Sequence, residues 1–275
     1  MHSLLTLAAV AAAYMIPQEL AISAFPEAEG FGANAIGGRS VEGQLYIDTS
    51  RASFLLIHAC PSGNFRDAVG ASNRIVVFAV GGVIKISSRV VIKDHITIAG
   101  QTAPGGITIY GNGVSYSNAH HTITRCVRYR MGKGGARGKD GVGIGHDMIF
   151  DHVSVSWGRD ETFSINGDVS NITISDSIIA RGLETHSYWT RNPKVKGVNE
   201  SVNNVVYNWG GGGGYITGGS KGQSYANIMN NVFISGPSTQ GNPFTCGSAN
   251  FRAYVQRNYY DPNKNDENTE RVSEY

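Results

Sequence analysis

This 275-residue sequence has few charges, few cysteines and no hydrophobic run of transmembrane length. Charged residues make up 16% of the chain and the formal net charge is +2 without a long basic run, which argues against nucleic acid as a partner. The three cysteines, Cys60, Cys126 and Cys246, allow at most one disulfide. A hydrophobic core must therefore hold the fold together.

The apolar stretch at residues 4–16 is too short to span a bilayer. It is followed by Pro17 and by Ala21 and Ser23, small residues at the positions that a signal peptidase reads. This pattern predicts a secretory signal at residues 1–23, a single domain at residues 24–275 and an extracellular protein that does not enter a membrane. Because no Lys or Arg precedes the apolar stretch, a buried helix or a wrongly assigned start is the alternative.

The rest of the chain consists of short apolar runs that recur at a similar spacing. One marker residue from each run shows the repeat, and the step between markers is nearly constant except for one longer step after the fourth. These markers are Ile96, Ile123, Ile149, Ile172, Val205, Ile228 and Tyr254. A repeat within the range of roughly 20–50 residues indicates one structural unit stacked on the next. Polar pairs such as Asn-Asn and Asp-His interrupt each unit, and hairpin signals and a leucine register are both missing, so we predict the coils of a parallel β-helix.

The two ends of such a solenoid need caps, because an uncovered end exposes unpaired strand edges. Residues 63–69, "GNFRDAV", predict a short capping helix at the N-terminal end. The last repeat runs directly into "DPNKNDENTERVSEY" without a capping element. This suggests a chain that lacks its C-terminal cap.

Five stretches together resemble the secreted pectate lyases of polysaccharide lyase family 1. They are "FPEAEGFGANAIGGR", "VVFAVGGVIKI", "ITIAGQTAPGGITI", "FDHVSVSWGRDETFSI" and "RNPKVKG", and the resemblance extends from Phe25 to about Asp261. It implies a right-handed parallel β-helix, bound Ca²⁺ and β-elimination of pectate, an acidic plant cell-wall polysaccharide, and we expect a monomer. Relatives usually carry another coil between "GLETHS" and "TRNPKVKG", so one coil is expected to be missing here.

The stretch at residues 191–196 resembles the Arg-x-Pro-x-x-Arg motif of that family. The resemblance implies that Arg191 is the catalytic residue that removes the C5 proton of a uronate. Lys196 stands where a second arginine binds the substrate carboxylate, and it keeps the charge but loses the bidentate geometry of arginine. Lys194 adds a further cation for the polyanion, and His186 lies near a substrate-binding lysine of the family. The alternative for Arg191 is an ordinary surface cation.

Asp140, Asp160 and Glu161 offer the oxygen ligands that Ca²⁺ prefers. The resemblance implies that Asp140 and Asp160 are calcium ligands. Ser164 stands where many pectate lyases have a further aspartate. Glu161 is the carboxylate that would compensate for that aspartate. A solvated acidic turn is the alternative. An arginine base requires a lowered pKa, which nearby cations would provide, so activity is expected to favour alkaline pH.

Two other functions remain open. A β-helical polygalacturonase would hydrolyse the same polymer, but its Gly-His-Gly and Arg-Ile-Lys motifs are absent from the sequence. A carbohydrate-binding or inactive relative would leave the polymer intact. The reaction product distinguishes the lyase, the hydrolase and the binding protein. Only a lyase leaves an unsaturated bond between C4 and C5.

Overall fold

The computed structural model describes residues 22–39, 44–48, 64–136, 138–165, 169–183, 192–217, 223–245 and 247–263. Residues 1–21, which form most of the predicted signal, and residues 264–275 of the C-terminal tail lie outside these ranges. No helix in the described ranges has the length and apolar character needed to cross a membrane.

Nearly all regular structure in the described ranges is β-strand. One short α-helix, α1 (Phe65–Ala68), and a 3-10 turn at Gly100–Thr102 are the exceptions. The strands are β1 (Gln44–Asp48), β2 (Arg74–Phe78), β3 (Gly82–Lys85), β4 (Val90–Val91), β5 (Ile96–Ala99), β6 (Ile107–Tyr110), β7 (Val114–Ser115), β8 (His120–Arg125), β9 (Val127–Arg130), β10 (Val142–Gly143), β11 (His146–Asp151), β12 (Ser154–Ser156), β13 (Phe163–Ser164), β14 (Ile172–Ser175), β15 (Ile178–Ala180), β16 (Lys194–Val195), β17 (Val198–Val202), β18 (Val205–Tyr207), β19 (Tyr215–Thr217), β20 (Ser224–Met229), β21 (Val232–Ile234), β22 (Phe244–Thr245), β23 (Phe251–Gln256) and β24 (Tyr259–Asp261).

The strands form three parallel sheets. Sheet 1 has the order β1-β2-β5-β8-β11-β14-β17-β20-β23, sheet 2 the order β3-β6-β9-β12-β15-β18-β21-β24, and sheet 3 the order β4-β7-β10-β13-β16-β19-β22. From β2 onwards the chain visits sheets 1, 2 and 3 in turn, so each coil adds one strand to each sheet. The parallel β-helix predicted from the repeats is confirmed.

The one long step in the sequence pattern, from Ile172 to Val205, has a simple structural reason. Ile172 lies in β14 of sheet 1, whereas Val205 lies in β18 of sheet 2. The strand partner of Ile172 one coil later is Asn199, and β14 pairs directly with β17. The step is longer because its two markers lie in different sheets. Both strands of a coil show the same alternating pattern, so the sequence does not distinguish the sheets. The connection where a missing coil was predicted, residues 184–190, lies outside the described residues.

The bend between sheets 1 and 2 is held by a column of buried asparagines. The side-chain oxygen of Asn204 accepts a hydrogen bond from the backbone N–H of Ser177 at 2.9 Å. Asn231 accepts from the N–H of Asn204, and Asn258 accepts from the N–H of Asn231, both at 3.0 Å. Each of the three amide nitrogens also donates to a backbone carbonyl of the preceding coil, at 2.8–2.9 Å. The amide side chains at this bend thus contact their equivalents one coil away.

The interior of the solenoid is apolar and includes the predicted N-terminal helix. Phe65 of α1 is fully buried and belongs to the main core cluster. The side chain of Asn64 caps the helix by accepting a hydrogen bond from the N–H of Asp67 at 2.9 Å. Cys126 is a free thiol, and Cys60 and Cys246 lie outside the described residues. In the described ranges the fold is thus stabilised by its core and its ladders.

We expect Asn231→Ala to lower the free energy of unfolding by roughly 2–4 kcal/mol, since two buried backbone groups lose their partner. Asn231 is fully buried and serves the N–H of Asn204 and the carbonyl of Ser201. Urea unfolding followed by circular dichroism measures the loss. Asn250→Ala removes an exposed asparagine and serves as control; an equal change in both variants would contradict a special role for the column.

Candidate functional site

Sheet 3 and the loops that lead into it bring together residues from successive coils. Gly143 in β10 pairs with Ser164 in β13, and Ser164 pairs with Lys194 in β16. Residues just before β10 and β13 therefore lie beside each other and beside Lys194, although they are far apart in the sequence. This register defines one face of sheet 3 as the candidate site.

Three carboxylates meet at this face. Asp140 precedes β10, and Asp160 and Glu161 precede β13. Ligand oxygens of the three side chains lie within 4.8 Å of one another. The backbone N–H of Glu161 donates to Asp140 Oδ1 at 3.2 Å, which fixes one loop against the next.

Two cations border the carboxylates. Lys194 Nζ lies 3.7 Å from Glu161 Oε1, and only 19% of the lysine side chain is exposed. From the other side, the half-buried guanidinium of Arg89 donates to the backbone carbonyl of Asp140 at 2.9 Å. The cations partly neutralise the cluster and leave the surrounding cleft with charges of both signs.

The cleft has a volume of about 400 Å³ and an almost wholly polar surface. Its lining residues are Arg89, Ser115, Ser117, Gly138, Lys139, Asp140, Asp160, Glu161, Ser164 and Lys194. A polar cleft of this kind suits a charged, hydrated ligand better than an apolar one.

Burial and neighbouring charge perturb two groups in the cleft. Burial, together with the hydrogen bond and negative charge of Glu161, raises the pKa of Asp140 to about 8. Burial lowers the pKa of Arg89 from its usual value, and the charge of Asp140 opposes that shift. Without a bound cation, the cluster thus favours holding a proton near neutral pH.

The carboxylate set fits Ca²⁺. Two oxygens on opposite sides of a calcium ion lie at most about 4.6–5.2 Å apart, since Ca–O bonds measure about 2.3–2.6 Å. One oxygen from each of the three carboxylates lies within 4.8 Å of the other two, so a single cation can contact all three. The proton that burial places on Asp140 would be released when a cation takes its position. Asp140, Asp160 and Glu161 are therefore the residues that would hold the metal.

The residues predicted from the sequence to form the site lie in different places relative to the cleft. The structure brings Asp140, Asp160, Glu161 and Lys194 together in the cleft. Lys196 follows β16 and is not among the described residues that line the cleft. Arg191 and His186 lie outside the described residues, so their predicted roles stay predictions.

The sequence pattern does not single out Arg89 as a residue of the site. Its side chain crosses the backbone of two later coils, where Gly113 and Gly143 leave space for it. A Cβ atom on Gly113 would lie 2.5 Å from an Arg89 terminal nitrogen, and one on Gly143 would lie 3.2 Å from the other. The sequence shows glycines one coil apart, at the start of one sheet 3 strand and the end of the next. These glycines indicate free space, but they do not indicate which side chain fills it.

The fold and the site define a parallel β-helix with a carboxylate cluster, bordered by cations, on one face. A protein named "Probable pectate lyase C" from Aspergillus fumigatus is 63% identical over 267 residues, which cover 89% of this chain and 62% of that protein. Its namesake from Neosartorya fischeri is 62% identical with the same coverage. The predicted resemblance to pectate lyases is thereby confirmed. This chain spans about 62% of the length of these curated relatives.

A solved structure supports the fold alone. The crystal structure of Jun a 1, the major allergen from cedar pollen, matches with a TM-score of 0.55 and 18% identity, and the match covers 90% of this chain and 85% of that one. No protein-family model matches the chain.

We expect the affinity of the protein for Ca²⁺ to rise with pH and to level off above about pH 8. Binding must displace the proton of Asp140 below its pKa, so affinity should increase by up to about tenfold per pH unit there. Calorimetric titration with Ca²⁺ at several pH values, in buffers of different ionisation enthalpy, measures affinity and proton release together. Asp140→Asn should bind more weakly and with a flatter profile; a flat profile in the unsubstituted protein would contradict the assignment.

Proposed function

We propose that this protein is a secreted lyase that cleaves polygalacturonate by calcium-assisted β-elimination. The observation that carries the proposal is the cluster of Asp140, Asp160 and Glu161 beside Lys194 in the cleft of sheet 3. The identity of 63% to a protein named as a probable pectate lyase supports a lyase that acts on pectate. The proposal includes removal of residues 1–23 on secretion and a single, monomeric domain at residues 24–275.

The residues of the cleft are suited to a polyanion. The carboxylates would hold the cation, and Lys194 and Arg89 present positive charge on either side of them. Bound calcium would neutralise a substrate carboxylate and stabilise the negative charge that develops when the neighbouring carbon loses its proton. Lys139, exposed at the rim of the cleft, extends the positive surface. A methyl ester would remove the charge that these groups bind, so the unesterified polymer is the proposed substrate.

Arg191 is the proposed base. It lies three positions before Lys194, in the segment that leads into β16. In the elimination, its neutral guanidine accepts the C5 proton, the C5–H electron pair forms the C4–C5 double bond, and the C4–O bond breaks. The departing oxygen takes a proton from solvent. Positive charge from Lys194 and Lys196, which are close to Arg191 in the sequence, and from a bound cation would favour the neutral guanidine, so activity is expected to favour alkaline pH.

We expect the purified protein to raise the ultraviolet absorbance of a polygalacturonate solution at alkaline pH with Ca²⁺, because the unsaturated product absorbs there. A chelator should stop the rise. Arg191→Ala should lower kcat by at least about a hundredfold, as loss of a general base does. Arg252→Ala, an exposed arginine on sheet 1, is the matched control and should leave the rate unchanged.

The product distinguishes the proposed function from its alternatives. Reducing ends that appear without ultraviolet absorbance would identify a hydrolase. An intact polymer retained by a folded protein would identify a binding module. Either result, obtained with circular dichroism showing a native fold, would overturn the lyase proposal.

We also expect Arg89→Met to lower kcat/KM for polygalacturonate by about tenfold or more, because a charged hydrogen bond that holds the Asp140 loop is lost. Arg89→Lys should retain part of the activity, since it keeps the charge but not the geometry of the guanidinium. Initial rates over a range of substrate concentrations, at saturating Ca²⁺, give the comparison. Arg252→Met controls for loss of charge alone, and equal activity of all three variants would exclude Arg89 from the site.

A further inference from the structure

Four histidines lie at the corner where the chain passes from sheet 3 into sheet 1. His120 and His146 begin β8 and β11, are paired in register, and have stacked rings with centroids 5.2 Å apart. His95 precedes β5, and its ring centroid lies 4.9 Å from that of His120 and 5.1 Å from that of His121. This histidine corner comes from successive coils and is separate from the carboxylate cluster, which lies at the opposite ends of the sheet 3 strands.

Three of these rings have the geometry of an incomplete metal site. One ring nitrogen from each of His95, His120 and His121 lies within 4.8 Å of the other two. Nitrogens bound tetrahedrally to Zn²⁺ at about 2.0–2.1 Å are about 3.3 Å apart, so modest side-chain rotations would bring the three together. Imidazole nitrogens favour Zn²⁺ and similar transition metals over Ca²⁺.

One ring nitrogen of the histidine corner has no partner in the described part of the chain. His121 Nδ1 is buried and forms no hydrogen bond with a described residue. Because buried polar atoms are normally paired, this nitrogen can take a partner that the described side chains do not supply, such as a metal ion or a water molecule.

A carboxylate stands beside the three histidines. Asp94 Oδ2 lies 3.5 Å from His120 Nε2, and Asp94 Oδ1 accepts the backbone N–H of His120 at 3.2 Å. Histidines that bind metals commonly donate their second ring N–H to a carboxylate, which orients the ring. Asp94 is placed either for that task or to complete a set of four ligands.

We propose that His95, His120 and His121 form a binding site for Zn²⁺ or a similar divalent transition metal, with Asp94 as the supporting carboxylate. Its ligands come from two consecutive coils, so the bound metal would join them at the corner. Metal binding should therefore raise the melting temperature of the protein as well as saturate at one equivalent.

The backbone of the histidine corner suggests variants that preserve the fold. His95 and His121 have left-handed backbone conformations, with φ of 53° and 52°, and Asn171 holds the equivalent position two coils after His121 with φ of 55°. Asparagine tolerates that conformation, so His95→Asn and His121→Asn remove ligands without straining the chain. His152→Asn is a matched control, because His152 is also left-handed but lies at the other bend of the coil, beside Asp151.

The test is calorimetric titration of the full chain with Zn²⁺ in the presence of excess Ca²⁺, which occupies the carboxylate cluster. We expect one equivalent to bind, and affinity to fall by at least about tenfold in His95→Asn and His121→Asn but not in His152→Asn or Asp140→Asn. Cobalt(II) in place of zinc should give visible absorption bands in the unsubstituted protein that both ligand variants lose.

Three results would overturn the proposal. One is no Zn²⁺ binding to the folded, unsubstituted protein. Another is binding that survives both ligand variants with its affinity unchanged. The third is binding lost in His152→Asn or Asp140→Asn, which would place the metal beside Asp151 or in the cleft. Circular dichroism melts of the metal-free variants establish that each is folded.

Discussion

The register between successive coils is the constraint on which the rest of this structure depends. Parallel pairing fixes each strand to its equivalent one coil away, but the tight bend between sheets 1 and 2 leaves backbone groups that no strand can pair. Asn204, Asn231 and Asn258 supply those partners at the same position of three consecutive coils. An unpaired buried N–H costs about 1–3 kcal/mol, so a coil that slipped by one residue would lose both its amide column and its buried face.

The same register explains how distant residues share one cleft. The bend at the asparagines is fixed in length, whereas the loops from sheet 2 to sheet 3 vary without disturbing the ladders. Asp140 and Glu161 lie in such loops, and the pairing of Ser164 with Lys194 brings a cation to them from a third coil. Loops held on a rigid scaffold are where functional side chains are usually found, because insertions there cost little.

The sequence predicts the fold better than the site. Alternating runs and amide pairs at a regular spacing predict the coils. They do not separate the sheets, so the markers Ile172 and Val205 fall in different sheets, since both sheets of a coil show one pattern. Asp160 and Glu161 are adjacent and easily recognised. Arg89 is not, because its contact with the Asp140 carbonyl depends on how two glycine-lined coils stack above it. The sequence does not predict the histidine corner for the same reason. Its members come from different coils and meet only through coil-to-coil stacking.

Stacking has different consequences for amide and imidazole columns. Equivalent side chains in neighbouring coils are about 4.8 Å apart, so a column repeats one chemistry at close range. An asparagine both donates and accepts, and each one can therefore bind the backbone of the coils on its two sides. A neutral imidazole has one donor and one acceptor on opposite edges of a rigid ring, so adjacent rings cannot satisfy each other in the same way. The buried Nδ1 of His121 has no partner among the described residues, and in the proposed site a shared cation would satisfy several rings at once.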